Sequence, residues 1–220
     1  MYYDLVTSLP HLPHFERAER LPITRLRLEE RLRLLKPAHG DQLARAAALV
    51  RWRPDRVRWK TDAAQVKEYA VLMASPMERP LRQYVAFRMD QRTLVAALRR
   101  KREGMASLDG VAPWGVGPWA RHVQMHWDEP DFHLAHLVPW LPHARDLLAA
   151  GDAEGVERSL MDVAWRWLGR CAERDMFNFE AVFSYFFKWD VLRAWLAHDA
   201  EKGKTRFRNL IDQVTHVEHG

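Results

Sequence analysis

Histidines at short spacings come nearest, among the residue types of this chain, to forming a chemical site. Four histidines fall in a single stretch with Asp131 nearby: His122, His126, His133 and His136. The first two histidines lie four residues apart and would share one face of a helix, and imidazole and carboxylate groups at such spacings can bind zinc. The helical zinc motif, however, places a glutamate directly after its first histidine, where this chain has Val123. We therefore expect packed or exposed histidines and no metal site, and a metal-dependent enzyme built on the four histidines is the third hypothesis.

Neither the single cysteine nor the glycine-rich segment predicts catalysis or nucleotide binding. Cys171 lies in a helical pattern of the type Leu-Gly-Arg-Cys-Ala, so we expect a buried and unreactive thiol. The loop at 110–117 lacks the lysine of a phosphate-binding loop and has no strand before it. We therefore expect no catalytic residue and no cofactor, and the chain is predicted not to be an enzyme.

A strongly basic segment is predicted to form one helix over 77–103. The arginines in it that we select as candidate partner contacts are Arg88, Arg92, Arg99 and Arg102. These charges could follow a phosphate backbone with Tyr84 and Phe87 stacking on bases, could pair with an acidic protein, or could cover a solvated face. Because they fall at most helical phases, a solvated face is favoured over a focused groove. A helical nucleic-acid-binding protein that uses helix 79–102 is kept as the alternative function.

The densest aromatic run, residues 177–190, predicts a core helix. Its regularly spaced apolar residues are Phe179, Val182, Phe183, Phe186 and Phe187. Tyr185, Trp189 and Trp195 fall partly off this stripe, which suits burial between helices or against another subunit, so they join the candidate interface residues. Lys188 and Asp190 could form an ion pair or lie exposed.

Length and composition predict a folded protein of one large domain or two small ones. The 220 residues are 48% apolar and 29% charged, which is enough to bury a core. A net charge of +5 decides little about nucleic acid unless the charge is gathered into one patch. The single cysteine excludes an internal disulfide and fits a reducing cytosol, and no apolar run approaches the roughly 20 residues that span a bilayer.

Breakers and capping residues predict helices throughout, without β alternation. Helix starts are expected at Asp41, Asp62, Ser75 (followed by Pro76), Asp152 and Asp199. An earlier helix carrying Leu28 and Leu32 is expected to end at Pro37. We therefore predict an all-α multi-helix bundle, a single domain over 1–220 with a hinge or loop at 105–118 between two helical halves.

The aromatic opening of the chain is predicted to dock into the core. Tyr2, Tyr3, Leu5 and Val6 are apolar or aromatic, and a Ser-Leu-Pro stop follows them. The basic start and the cleavage site of a secretory signal are not found there, so we do not expect one.

Two tracts carry a resemblance to a small family encoded within bacterial V-type ATPase operons. The first is residues 2–10 (YYDLVTSLP) with Leu12 and Phe15 after it. The second is residues 179–189 (FEAVFSYFFKW) with residues 193–196 (RAWL). This second tract also resembles the closing helices of the group formed by the archaeal C-type and eukaryotic d-type subunits.

This resemblance implies a non-catalytic component of a rotary ATPase that takes the place of the C-type subunit. Such a protein sits on the cytoplasmic face of the membrane, joins the rotor ring to the central stalk, and transmits torque during ion or proton transport. Its partners would be the stalk subunits and the membrane rotor ring, with no small-molecule substrate and no nucleic acid. Because this chain is shorter than a typical C-type subunit, the resemblance implies a reduced version of that group's helical funnel.

Overall fold

Helices account for the architecture of the chain in a computed structural model, which describes residues 1–52, 61–108, 110–111 and 113–217, with side chains as far as residue 198. In chain order the helices are α1 (Tyr3–Ser8), a short 3-10 helix (Phe15–Arg17), α2 (Arg25–Leu32), α3 (Pro37–Val50), α4 (Asp62–Ala74), α5 (Arg79–Arg102), α6 (Trp119–Met125), α7 (Leu141–Ala149), α8 (Ala153–Arg174) and α9 (Phe179–Val217). Within these described ranges no strand occurs, which confirms the predicted all-α multi-helix bundle. No helix in the part described is both long and apolar enough to cross a membrane.

Side-chain caps fix two of the predicted helix starts. Asp152 accepts a hydrogen bond from the amide of Gly155 at 2.7 Å and so caps α8 as expected. Before α4, Thr61 accepts from Ala64 at 3.2 Å, and the helix begins at Asp62. Gly104 ends α5 with φ +83°, a conformation that favours glycine.

Four predicted boundaries are wrong, each because a residue acts differently from what its local pattern indicated. Pro37 opens α3 instead of ending the helix before it, since proline suits the first helical turn. Asp41, an expected helix start, therefore lies inside α3. Ser75 closes α4, and Pro80 rather than Pro76 lies in the first turn of α5. Asp199 begins no new helix because no proline interrupts residues 179–217, and the backbone of α9 continues to Val217.

The basic helix α5 lies at the centre of the molecule and packs against α3, α6, α7, α8 and α9. Its first half contributes Leu81, Tyr84 and Val85, each fully buried, to a core shared with α3 and α9. Its second half contributes Leu94 and Leu98 to a second core built with α6 and α7. Burying such a side chain stabilises the fold by roughly 1.5–3 kcal/mol, so α5 is a core helix. The favoured interpretation of its charged face as solvated is wrong for Arg88, which is buried, whereas Arg79, Arg99 and Arg102 are exposed.

The opening segment docks into the core beside α9, as predicted. Tyr2, Leu5 and Phe15 are buried. The amide of Tyr2 donates to the carbonyl of Phe177 at 2.5 Å, where α9 is about to begin. The two tracts at opposite ends of the sequence therefore form one packed unit.

The loop after α5 packs against that helix. The Thr93 hydroxyl accepts from the amide of Val116 at 3.0 Å and lies 3.2 Å from its carbonyl. A Cβ on Gly115 would approach the Thr93 methyl group to 2.7 Å, so the close contact requires glycine. Asp109 and Ala112 of the predicted 105–118 loop lie outside the described residues, and the role of the loop as a hinge stays a prediction.

Candidate functional site: an arginine-lined cavity

A cavity of about 880 Å³ opens beside the centre of α5. Its walls come from the end of α3, the start of α4, the start of α8 and the loop residues around Trp114. The residues that give it its chemical character are Arg51, Trp52, Arg88, Gln91, Arg92, Arg99, Trp114 and Glu157. Small-molecule sites commonly have volumes of about 300–1,000 Å³, so the cavity is large enough for a ligand.

Arg88 is the most deeply placed charge of the cavity, with only 2% of its surface exposed. Its guanidinium lies over the indole ring of Trp52 at 3.7 Å, and its Nη1 donates to Oε1 of Gln91. Neither Nε of Arg88 nor Nε1 of Trp52 has a hydrogen-bond partner in the described part of the chain. Burial lowers the pKa of Arg88 to about 10, against a raising effect of Tyr84, so the group stays charged at neutral pH.

Arg92 caps the carboxyl end of α3 with two hydrogen bonds. Its Nη1 donates to the carbonyl of Leu49 at 2.6 Å, and its Nη2 donates to that of Arg51 at 3.0 Å. These carbonyls belong to the negative end of the helix dipole, where a cation is stabilising. Burial lowers the pKa of Arg92, and the negative charge of Asp190 opposes that shift.

Asp190 of α9 is fully buried and connects α9 to the end of α3 through hydrogen bonds. It accepts from Nε of Arg51 at 3.2 Å, from the amide of Trp52 at 2.9 Å, and from Nη2 of Arg193 at 3.1 Å. The proposed pair with Lys188 is wrong, because the Lys188 ammonium lies over the Trp165 ring at 5.2 Å. Sequence reasoning missed this role of Asp190, since its partner at the end of α3 is far away in the sequence.

The structure brings three of the four candidate arginines together. Arg88, Arg92 and Arg99 line the cavity, while Arg102 lies outside it and donates to the carbonyl of Leu148 at 2.9 Å. Arg99 is exposed, whereas Arg88 is buried and cannot contact a partner surface in this fold. Tyr84 packs 4.6 Å from the Phe187 ring and is fully buried, so stacking on a nucleic-acid base is excluded for it.

The aromatic candidates of α9 hold the opening segment of the same chain. Tyr185 donates to the carbonyl of Pro10 at 2.9 Å, and the Trp189 indole donates to that of Ile23 at 2.9 Å. Trp195 meets Phe15 edge to face at 5.3 Å. Trp189 is fully buried between elements of its own chain, which is the first of the two alternatives for these aromatics, while Tyr185 and Trp195 are half-buried.

Three of the four candidate histidines pack together, and the fourth does not. The ring of His126 lies 4.4 Å from that of His122 and 5.0 Å from that of His133, and Nε2 of His122 bonds to the carbonyl of Phe132 at 2.8 Å. His136 is exposed. Among the residues that the structure describes, no group of three or more metal-ligating side chains is arranged to hold a metal ion. Packed and exposed histidines are what the sequence analysis expected.

Cys171 is buried, as predicted. Burial raises the pKa of its thiol. A thiol with a raised pKa is a poor nucleophile at neutral pH.

A second carboxylate, Asp90 of α5, is a titratable group that the sequence did not indicate. Burial raises its pKa to about 7, although a hydrogen bond from Trp119 acts in the other direction. Its Oδ1 has no hydrogen-bond partner among the described residues and would lie 2.2 Å from a Cβ on Gly117. The absence of a side chain at Gly117, with φ +80°, is what leaves room for this carboxyl group.

We expect Asp90→Asn to stabilise the protein at pH 8 by roughly 2 kcal/mol and to have little effect near pH 4. The ordinary pKa of 3.8 is raised on folding, so the folded state holds a proton that the unfolded state has lost. The corresponding contribution to stability is complete below about pH 4 and disappears as the pH rises to about 7. Solvent screens part of the penalty because the group is only partly buried.

The measurement is the free energy of urea unfolding at pH 4, 6 and 8. The control is Asp128→Asn, because Asp128 is exposed and that variant should stay within about 0.5 kcal/mol of the parent at each pH. A constant difference between Asp90→Asn and the parent across this range would contradict the prediction.

Comparison with known proteins identifies a family. A protein-family profile described as "Protein of unknown function (DUF2764)" matches residues 56–218. Comparisons with curated proteins and with solved structures returned no match.

Proposed function

We propose that this chain, which belongs to the DUF2764 family, is a non-catalytic component of a bacterial V-type rotary ATPase. In this role it takes the place of the C-type subunit, as a reduced form of that helical funnel. It joins the membrane rotor ring to the central stalk on the cytoplasmic face of the membrane. It transmits torque mechanically during ion transport and carries out no bond chemistry.

The observation that carries this proposal is that the two tracts with the V-type ATPase resemblance pack against each other. Tyr185 of the second tract donates to the carbonyl of Pro10 in the first tract at 2.9 Å, and Trp195 meets Phe15 edge to face at 5.3 Å. A resemblance at both ends of a chain carries more weight when the two ends form one folded unit. The resemblance then covers one three-dimensional feature. Separate packing motifs, in contrast, could arise independently in many helical proteins.

The same unit offers a surface on which a partner could dock. Tyr3 is 58% exposed and its ring lies 5.0 Å from that of Phe177, while Met1 and Met176 are 85% and 63% exposed. Exposed apolar side chains that lie close together are typical of contacts between proteins. We call the surface formed by Met1, Tyr3 and Met176 the opening patch.

Affinity purification from the native cells, followed by mass spectrometry, tests the proposal. The tag belongs at the carboxyl end, because Tyr2 is packed into the core. We expect V-type catalytic, stalk and membrane-ring subunits to be recovered together, after nuclease treatment of the lysate. Recovery of nucleic acid, or of none of these subunits, would contradict the proposal.

A pair of variants locates the contact. Tyr3→Ser should reduce recovery of the partner subunits, because it removes the largest side chain of the opening patch. Leu34→Ser is the control, since Leu34 is 63% exposed and lies outside that patch. Equal recovery with both variants would place the contact elsewhere on the molecule.

A further inference from the structure

We propose that the arginine-lined cavity binds a small organic anion that carries a phosphate or carboxylate group. This inference rests on the cavity alone and is independent of the role in a rotary ATPase. Failure of either proposal therefore leaves the other standing.

Two buried donors beside the cavity have no acceptor among the described residues. Both groups left without a partner beside the cavity, Nε of Arg88 and Nε1 of Trp52, are donors. Buried donors in folded proteins are nearly always paired, so two such groups at one cavity indicate an acceptor that the described part of the chain does not supply. Phosphate and carboxylate oxygens are strong acceptors, and the planar guanidinium of arginine fits both groups.

The net charge of the described cavity wall is positive. Arg51 is compensated by Asp190, and Asp62 at the rim is compensated by Arg100. The charges that remain on the described cavity wall are those of Arg88, Arg92 and Arg99 against the single carboxylate of Glu157. Two positive charges in excess within a concave, partly desolvated site attract an anion.

The exposure of the arginines and the volume of the cavity favour a compact ligand. A nucleic-acid backbone or an acidic helix would need a row of exposed cations, but of the three arginines with excess charge only Arg99 is exposed. Arg92 also commits both of its Nη atoms to backbone carbonyls and contributes only its charge. A concave volume of about 880 Å³ with Trp52 and Trp114 in its wall fits a compact ligand with a planar or apolar part.

Titration calorimetry at constant ionic strength tests the inference on the full chain. One arm uses pyrophosphate and the other citrate, with sodium chloride as the ionic-strength control. We expect saturable binding with a Kd below about 1 mM for at least one probe. Binding of pyrophosphate alone assigns the phosphate class and binding of citrate alone the carboxylate class, while the absence of saturable binding in both arms overturns the proposal.

A matched pair of variants on α5 separates the site from general charge. Arg99→Gln should weaken binding about tenfold, because it removes the exposed cation of the cavity. Arg79→Gln makes the same substitution on the same helix at an exposed position outside the cavity, and it should leave the affinity unchanged. Equal weakening by the two variants overturns the proposal, since binding would then follow net charge.

A direct readout comes from the indole N–H of Trp52. The chain has 10 tryptophans, so the indole resonance of Trp52 has to be assigned. It is the signal that is missing from the nitrogen–proton correlation spectrum of Trp52→Phe. We expect that resonance to move when pyrophosphate or citrate saturates the protein, as a paired donor would. An unmoved Trp52 signal at saturation places the anion elsewhere and overturns the assignment of the cavity.

Discussion

Asp190→Ala is expected to lower the free energy of unfolding by about 3–5 kcal/mol. The carboxylate is fully buried and receives three hydrogen bonds, from Arg51, Trp52 and Arg193. Its removal takes the compensating negative charge away from two largely buried arginines, and it leaves the Trp52 amide without its acceptor. The loss exceeds that of a surface ion pair, which is worth about 0–1 kcal/mol.

Guanidinium unfolding of the purified variant provides the measurement. Asp190→Asn keeps an acceptor for the Trp52 amide but not the charge, so its loss should be smaller than that of Asp190→Ala. Asp128→Ala is the control because Asp128 is exposed, and it should stay within about 0.5 kcal/mol of the parent. A loss below about 1 kcal/mol for Asp190→Ala would show that the buried carboxylate is not what joins α9 to the end of α3.

Trp189→Ala is expected to cost about 3–5 kcal/mol as well, for a different reason. The indole is fully buried in the core that holds the opening segment, and it donates to the carbonyl of Ile23. Truncation to alanine removes the largest fully buried side chain of the described residues, leaves a cavity, and leaves that carbonyl without its donor.

Trp189→Phe separates packing from hydrogen bonding. It keeps much of the aromatic volume but loses the donor, so we expect a cost of about 1–3 kcal/mol. Thermal and chemical unfolding of both variants give the comparison, with Leu34→Ala as an exposed control. Equal costs for Trp189→Phe and Trp189→Ala would mean that the bond to Ile23 outweighs packing, contrary to this account.

Apolar periodicity was sufficient to predict the helical class, and the aromatic composition of the opening segment was sufficient to predict its docking. Phe179, Val182 and Phe183 follow helical spacing, and all three are buried in α9. Local capping chemistry also placed the start of α8 correctly at Asp152, because the cap is made by residues close together in the sequence. Proline positions were less reliable, because Pro37 can either end one helix or begin the next.

The candidate site could be predicted only in part. Charge and spacing along 79–102 selected Arg88, Arg92 and Arg99, but the same pattern also selected Arg102, which lies outside the cavity. The pattern also suggested that the charged face is solvated, whereas Arg88 on that face is buried. Trp52 and Asp90 carried no local signal, because their environments are made by residues from other elements.

What the sequence by itself determined is therefore the set of amphipathic helices and the chemistry available to them. Periodicity, caps and breakers act over a few residues, so they can be read along the chain. Only the tertiary structure decided that Asp190 pairs with Arg51, and that Trp189 reaches Ile23. It alone gathered three arginines of α5 around one cavity. These contacts join residues far apart in the sequence. Which charges and donors lie beside a residue therefore depends on which helices pack around it.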